Sequence, residues 1–259
     1  MSGAVYVPDA TYDEVARAFA AGGPALLPIG ATEAHGPHLP LHTDVYIALE
    51  VCFRVQAALG PARPAVVLAP FAFTVTELAK GFAGTVTLRP ETARAALAET
   101  IESLGRHGAR TVALVNAHLE PAHRQVLADV AAAAAAAAAA SPDRPPRVVR
   151  ADHARKPWAL RLGDEFVSGD AHAGRYETSL LLASRFASTV RLDRARALPA
   201  RPLGLLDHMR RGTPSFEAMG AADAYFGDPA AASVEEGERL LAVLVEMWLA
   251  TLEEARPSR

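Results

Sequence analysis

The chain has 259 residues and a formal net charge of −3, and this length favours one large domain or two small ones. Apolar residues make up 51% and charged residues 21%, which is typical of a globular protein that buries a core without disulfides or a structural metal. The basic residues are scattered and form no stripe, which argues against nucleic acid as a partner.

Cysteine content and hydropathy limit the redox chemistry and the location. Cys52 is the single cysteine, which excludes an intrachain disulfide framework, and its apolar neighbours indicate a buried hydrophobe in a helix rather than a nucleophile. Residues 1–10 carry no secretory pattern, and no window reaches the ~18 apolar residues of a membrane span. We therefore predict a cytoplasmic protein with no membrane partner.

The predicted elements alternate between short apolar strands and longer helices. The first elements are a helix over 11–21 with a capping box of Thr11 and Glu14, a strand over 25–29, a helix over 45–59, and strands over 65–68 and 85–88. They are followed by a helix over 91–107, a strand over 111–115, a helix from 121 through the alanine run 131–140, and a strand over 147–150. The last two are a helix over 173–186 and a helix from Ser233, paired with Glu236 as a cap, to residue 254. Residues 199–229 are rich in Gly and Pro and receive no assignment. This alternation predicts a single α/β domain over 1–259, with a mostly parallel sheet and helices on both faces.

The first polar motif follows the strand predicted at 25–29. Glu33 and His35 are two residues apart, so in an extended chain their side chains point to the same side. Asp44 follows at the start of the next helix and can fold back toward them. Carboxylate and imidazole ligands of this kind suit Zn²⁺ or Mn²⁺.

The same spacing recurs after the strand predicted at 111–115, where His118 and Glu120 are two residues apart. Taken singly, Glu33 or Glu120 at a loop end is more commonly a surface group or a helix cap. The repeat at two strand ends, where α/β sheets bind their ligands, favours a metal site instead. Two divalent cations would balance three carboxylates and one hydroxide, so charge favours two ions over one.

The third motif contains His172 and Glu177. His172 lies between glycines at a predicted helix N-terminus, which lowers the imidazole pKa and favours its neutral, proton-accepting form. Glu177 could orient His172, hold a metal or complement the helix dipole, and Asp170 is predicted to be a cap. Among the other residues, His38 and His42 are predicted to line the entrance or stabilise the first motif, and Trp158 is a candidate for a pocket wall.

These motifs resemble those of the creatininase (creatinine amidohydrolase) family. The resemblance covers roughly residues 24–190 and rests on LPIGATEAHGPHLPLHTD at 27–44, GFAGTVTLRPET at 81–92, NAHLE at 116–120 and HAGRYETS at 172–179. It implies a three-layer αβα sandwich, a homo-oligomer that is often a hexamer, and a binuclear metal centre. Carried over by position, Glu33 and His118 would bind one metal, His35 and Glu120 the other, and Asp44 would bridge them. His172 and Glu177 match the family's acid–base histidine and its partner glutamate.

The resemblance implies an amidohydrolase with two divalent ions per chain, Zn²⁺ or Mn²⁺ with Fe²⁺ as a further option. A hydroxide between the ions would attack a small non-peptide amide, lactam or formamide, and His172 would transfer the protons. Leu119 replaces an aromatic residue of creatininase, and 168–171 contains no tryptophan, which argues against creatinine itself. The alternatives are an inactive metal-binding or regulatory protein and, less favoured because Arg175 is the only basic residue near the motifs, a two-metal phosphoesterase.

Overall fold

A parallel sheet forms the centre of the molecule. A computed structural model describes residues 5–140, 145–153 and 155–256, so residues 1–4 and 257–259 of the predicted domain lie outside the described part. The strands are β1 (Val5–Tyr6), β2 (Ala25–Ile29), β3 (Val66–Val67), β4 (Thr111–Asn116) and β5 (Arg147–Val149). They lie in the order β1-β3-β2-β4-β5, and each neighbouring pair is parallel. The predicted α/β fold is confirmed.

Helices cover both faces of this sheet. They are α1 (Tyr12–Ala20), α2 (Thr43–Leu59), α3 (Pro90–Arg106), α4 (Pro121–Ala140), α5 (Asp164–Ser168), α6 (Arg175–Leu182), α7 (Leu192–Ala197), α8 (Leu205–Arg210) and α9 (Val234–Glu254). Alternate residues of β2 point to opposite faces: Leu26 packs with α2, α6 and α9, whereas Leu27 and Ile29 pack with α1, α3 and α4. The molecule is therefore a three-layer αβα sandwich.

Two predicted helix starts are present in the structure. Thr11 Oγ1 accepts a hydrogen bond from Glu14 N, and the Glu14 carboxylate accepts one from Thr11 N, which completes the capping box of α1. Ser233 Oγ accepts from Glu236 N at 3.1 Å at the start of α9. The alanine run continues α4 as its helix propensity predicts. Within the described residues, none of these helices is both long and apolar enough to be a transmembrane segment.

Two predicted elements differ from the structure. Residues 85–88 do not form a strand of the sheet; they make only isolated bridges, Thr32 to Val86 and Thr74 to Thr87. Their β-branched side chains hold loops at the edge of the sheet, so local β propensity predicted the extended backbone but not its partner. The helix predicted over 173–186 is confined to α6. It cannot begin at Ala173, which has a left-handed φ of 52°, and it ends at Leu182.

The sheet brings the first two motifs together. Ile29 of β2 pairs with Asn116 of β4, so the loops after both strands leave the same edge side by side. Gly30 lets the first of these loops pass directly against the start of α2, since a Cβ at this residue would lie 2.7 Å from Asp44 Cβ and 2.4 Å from Val45 N. The loop that carries Glu33 and the helix that carries Asp44 are therefore in contact.

Candidate metal centre

The first group of ligand atoms comes from three different elements. Glu33 follows β2, His118 follows β4, and Asp44 lies in the first turn of α2. His118 Nδ1 is 3.2 Å from Glu33 Oε1 and 3.1 Å from Asp44 Oδ2. All three side chains are buried, and their ligand atoms are close enough together to hold one metal ion.

A second group shares Asp44 with the first. His35 Nε2 lies 3.3 Å from Asp44 Oδ1 and 3.5 Å from Glu177 Oε2, and these residues could also hold an ion. The two oxygens of Asp44 thus face two different histidines, His118 on one side and His35 on the other. Asp44 therefore belongs to both groups.

Backbone carbonyls orient both histidines. His118 Nε2 lies 3.0 Å from Val75 O, and His35 Nδ1 lies 3.1 Å from Glu33 O. Because a carbonyl oxygen only accepts, these nitrogens carry the protons, and the opposite nitrogen of each ring presents a lone pair to the carboxylates. His35 Nε2 is buried without a hydrogen-bond partner among the described residues. This donor set fits divalent Zn²⁺ or Mn²⁺.

The charges of the cluster also favour bound cations. Burial opposes a charge on His35, yet Asp44 and Glu177 raise its pKa to about 10. Burial likewise opposes the carboxylate form of Asp44, but His35 and His118 hold the Asp44 pKa well below its usual value. The buried carboxylates therefore attract compensating positive charge, which metal ions supply more effectively than protons.

His172 lies against this cluster from the loop before α6. Its Nε2 is 3.1 Å from Ala34 O, which makes Nε2–H the donor, and its Nδ1 is 3.9 Å from Glu33 Oε1. Burial, followed by the charge of His35, lowers the pKa of His172 to about 4, so the imidazole is neutral. With Glu33 and His35 it forms a third group able to hold an ion.

Glu177 joins the loop that carries His172 to the ligand groups. Its Oε2 accepts a hydrogen bond from Ala173 N at 2.6 Å and also faces His35. Burial raises the pKa of Glu177 to about 8. Ala173 has a left-handed backbone conformation although it is not a glycine. Strained backbone of this kind is common at functional sites.

Sequence comparison assigns this arrangement to a known family. The sequence model of the creatininase family, described as creatinine amidohydrolase, matches residues 8–252. The chain belongs to the creatininase family. Its membership establishes it as a hydrolase and accounts for the buried groups of metal-binding residues.

Individual relatives agree with this membership. The chain is 34% identical over 228 residues to a mycofactocin precursor peptide peptidase of Mycobacterium ulcerans, covering 85% of this chain and 81% of the relative. It is 29% identical over 262 residues to a creatinine amidohydrolase of Pseudomonas putida, covering 95% of each. A solved creatininase matches with a TM-score of 0.77 and 28% identity, covering 98% of this chain and 99% of that one.

Two further solved relatives are described with their metals. One, described as creatininase Mn, has a TM-score of 0.76 and 27% sequence identity, and the match covers 98% of this chain and 100% of the relative. The other is a creatininase mutant described as Zn-Zn type, with a TM-score of 0.76 and 26% identity, and the match covers 98% and 99% of the two chains.

Glu120 lies beside the ligand groups of this creatininase-family chain rather than in them. Its two carboxylate oxygens accept hydrogen bonds from Glu77 N and Leu78 N, each at 3.1 Å. Burial raises its pKa. It belongs to none of the groups of ligand atoms that the described residues form. The other six predicted site residues all belong to at least one, and a metal role for Glu120 stays a prediction.

A cavity of about 130 Å³ opens onto the centre. Its polar side contains Glu33, Asp44, His118, Glu120, His172 and Glu177. Part of its apolar lining, here called the apolar wall, consists of Phe166, Leu205, Leu206, Met209 and Phe216. Trp158 is not among the described residues that line this cavity, and its ring is covered by the Arg161 guanidinium at 5.3 Å.

Sequence reasoning missed the residues that hold the ligands in place. Thr76 Oγ1 donates a hydrogen bond to Glu33 Oε2. Asn116 accepts from His118 N at 3.1 Å and donates to His118 O at 2.6 Å, and His123 Nε2 lies 2.8 Å from Asn116 Oδ1. His123 is three residues after Glu120, so its position on the first turn of α4 was a usable signal.

The two histidines that flank the first motif have local roles. His38 Nε2 lies 3.0 Å from Thr178 Oγ1 of α6, which ties the first loop to the helix of Glu177. His42 precedes α2, and its ring packs edge-on against Tyr46 at 5.9 Å. Neither is a member of the ligand groups among the described residues. Both contacts favour stabilisation of the loop over lining of the entrance.

Proposed function

We propose that the chain is a binuclear metal-dependent amidohydrolase. The observation that carries this proposal is the shared position of Asp44. One of its oxygens is 3.1 Å from His118 Nδ1 and the other 3.3 Å from His35 Nε2. A single carboxylate placed between two groups of ligands supports two ions held side by side, as two-metal hydrolases require.

The distances support one ligand set for each ion. Glu33, Asp44 and His118 would hold the first ion, and His35, Asp44 and Glu177 the second. Glu177 Oε2 lies 3.5 Å from His35 Nε2, which favours Glu177 for the place that the family resemblance gave to Glu120. The manganese and zinc relatives support these two metals, and Fe²⁺ is a further option for the same ligands.

His172 is the proposed proton carrier. Bound divalent ions would polarise the amide carbonyl and acidify water. Because Ala34 O holds the proton on His172 Nε2, Nδ1 is the atom free to take a proton from the attacking water. The same atom then returns that proton to the amide nitrogen, which leaves only when protonated. Glu177 fixes the loop through Ala173 N, so it orients His172 as well as holding a metal.

The proposed substrate is a small amide, lactam or formamide. Creatinine is disfavoured because Leu119, which lines the cavity, is not aromatic. A relative is described as a peptide peptidase, so short peptides belong in the same test. A homo-oligomer, with a hexamer as the specific prediction, is to be measured by light scattering on the active protein.

Elemental analysis combined with a substrate screen tests the proposal. Protein loaded with Zn²⁺ or Mn²⁺ and freed of excess metal should contain about two ions per chain, and a chelator should abolish turnover of amides. A value at or below one ion under metal-replete conditions would exclude the binuclear centre. Two bound ions without hydrolysis of any lactam, formamide or peptide would favour the inactive alternative, and hydrolysis of phosphate esters alone would favour the phosphoesterase.

A further inference from the structure

The apolar wall lines the same cavity as the candidate metal centre. Phe216 is buried, and its ring centroid lies 4.5 Å from that of His172. Leu205, Leu206 and Met209 all project from α8. A substituent that extends from the reacting amide toward this wall therefore contacts carbon atoms and one thioether. The wall has no polar side chain that could replace the hydration of such a substituent.

The size of the cavity limits what this wall can accept. Its volume of about 130 Å³ is close to the ~150 Å³ of an engineered apolar cavity that binds benzene. One phenyl ring or a branched alkyl group is of a size that this space can accept. Met209 adds adaptability, because the thioether side chain of methionine follows irregular shapes.

Among the described residues, the cavity lining offers no uncompensated basic side chain to an anionic substrate. Arg124 is the one arginine or lysine among the described lining residues. Its Nη2 lies 3.1 and 3.2 Å from the two carboxylate oxygens of Asp152, so its positive charge is paired. An anionic substituent in this cavity would therefore find no unpaired arginine or lysine to compensate its charge.

From these observations we infer that the substrate is an amide without an anionic group, and that it carries one apolar substituent, about the size of a phenyl ring, next to the scissile C–N bond. This inference rests on the proposed function. In the reaction, water gives its hydroxyl to the acyl carbon and a proton to the nitrogen as the C–N bond breaks. The products are a carboxylic acid and an amine, and no oxidant or reductant is consumed.

A matched series of formamides tests this inference on the metal-loaded protein. N-benzylformamide is neutral and apolar, N-methylformamide is neutral and small, and N-formylglycine is anionic. We expect kcat/KM for the benzyl compound to exceed that of each of the others by roughly tenfold or more, the discrimination that apolar pockets give. The benzyl compound should also raise the Tm more than the others do, because ligand binding stabilises the folded state.

Met209→Gln tests the wall itself, because it places an amide in a side chain of similar length. The ratio of kcat/KM for the benzyl to the methyl compound should fall roughly tenfold. Leu160→Gln is the matched control: Leu160 is 59% exposed and lies outside the cavity lining, so its ratio should not change. Should Met209→Gln fail to fold, Leu206→Gln at another position of the apolar wall makes the same test.

The outcomes separate this inference from the proposed function. Hydrolysis with equal kcat/KM for all three compounds, or with N-formylglycine preferred, overturns the apolar substituent and leaves the amidohydrolase intact. A Tm increase specific to the benzyl compound without any hydrolysis supports the apolar cavity and overturns the amidohydrolase. If no compound is hydrolysed and none raises the Tm, both the inference and the proposed function are overturned.

Discussion

The two sides of the cavity are built in different ways. The polar side comes from loops that follow β2 and β4, and the pairing of Ile29 with Asn116 brings those loops together. The apolar wall comes largely from residues 199–229, a segment with one short helix and many turns. The sheet therefore fixes where the chemistry occurs, whereas a segment outside the sheet determines which substrate fits, a common division in α/β enzymes.

The polar side of the cavity and the apolar wall are held by different numbers of hydrogen bonds. On the polar side Asn116 makes two hydrogen bonds to the backbone of His118 and is itself held by His123. On the other side, the N-terminus of α8 is held by one side-chain hydrogen bond, from Leu205 N to Asp170 Oδ1 at 2.8 Å. We therefore expect changes on the polar side to affect metal binding and chemistry, and changes at α8 to affect substrate preference.

Asp44→Asn should produce the largest effect. Asparagine keeps the volume and can still accept the hydrogen bond that Ala31 N makes to Asp44 Oδ2, but it removes the charge between the two ligand groups. Metal affinity should fall by at least about 100-fold, more than the loss typical of supporting residues. Amidase activity should fall with it, and both are measured by metal titration and kinetics on the same preparation.

Asp129→Asn is the control for this charge change, because Asp129 pairs with Arg94 on the surface and such changes alter stability by less than about 0.5 kcal/mol. Circular dichroism should show the same fold for both variants. If Asp44→Asn retains two ions and near-normal turnover, the bridging role of Asp44 is wrong.

His172→Ala should give the next largest effect and should separate chemistry from metal binding. The loss of a positioned proton carrier lowers kcat by about 10²–10⁴, while the metal content should remain at two. Loss of one ion instead would show that His172 binds metal with Glu33 and His35, the third group of ligand atoms. His107→Ala, at the exposed end of α3, controls for removal of a histidine.

The sequence predicted the parts of this structure that follow local rules. Strands such as 25–29 are short apolar runs, and the capping residues of α1 and α9 are encoded within four positions of each other. The polar site was also accessible, because strand ends meet at one edge of a parallel sheet. Residues 85–88 were assigned wrongly because the partner of an extended segment depends on tertiary packing.

The residues that were missed depend on contacts between distant segments. Val75 and Thr76 reach the centre from a loop without a distinctive pattern, and they contact His118 and Glu33 more than 40 positions away. Glu120 is two residues from His118, the same spacing as in the first motif. Its carboxylate, however, accepts hydrogen bonds from the backbone N–H groups of residues 77 and 78. The apolar wall could not be assigned because the Gly- and Pro-rich segment 199–229 lacks a period.

His123→Ala should have an intermediate effect on the polar side. His123 bonds Thr74 Oγ1 through Nδ1 and Asn116 Oδ1 through Nε2, each at 2.8 Å. Without it, Asn116 is less firmly held and His118 is less well oriented, so metal affinity should fall about 10- to 100-fold. The measurement is a metal titration well below the Tm. A loss of Tm with unchanged metal affinity would show that His123 is only structural.

Asp170→Ala should have the smallest effect of these variants, and it should act on the apolar wall and not on the polar side of the cavity. The Asp170 carboxylate was predicted to cap the helix that follows it in the chain, but α6 has no side-chain cap. In the structure Asp170 accepts from Leu205 N and caps α8 instead. Its removal should lower the free energy of unfolding by about 1 kcal/mol, the usual cost of losing a cap. Because α8 carries Leu205, Leu206 and Met209, a looser α8 should reduce the preference for N-benzylformamide over N-methylformamide.

The metal content of Asp170→Ala should stay at the wild-type value, since Asp170 is in none of the ligand groups that the described residues form. Asp170→Asn is the matched control, because its side-chain oxygen can still accept from Leu205 N, and it should restore the preference. If Asp170→Ala loses metal while its preference is unchanged, α8 supports the metal centre rather than the apolar wall. The division between the two sides of the cavity would then fail, because one segment would serve both.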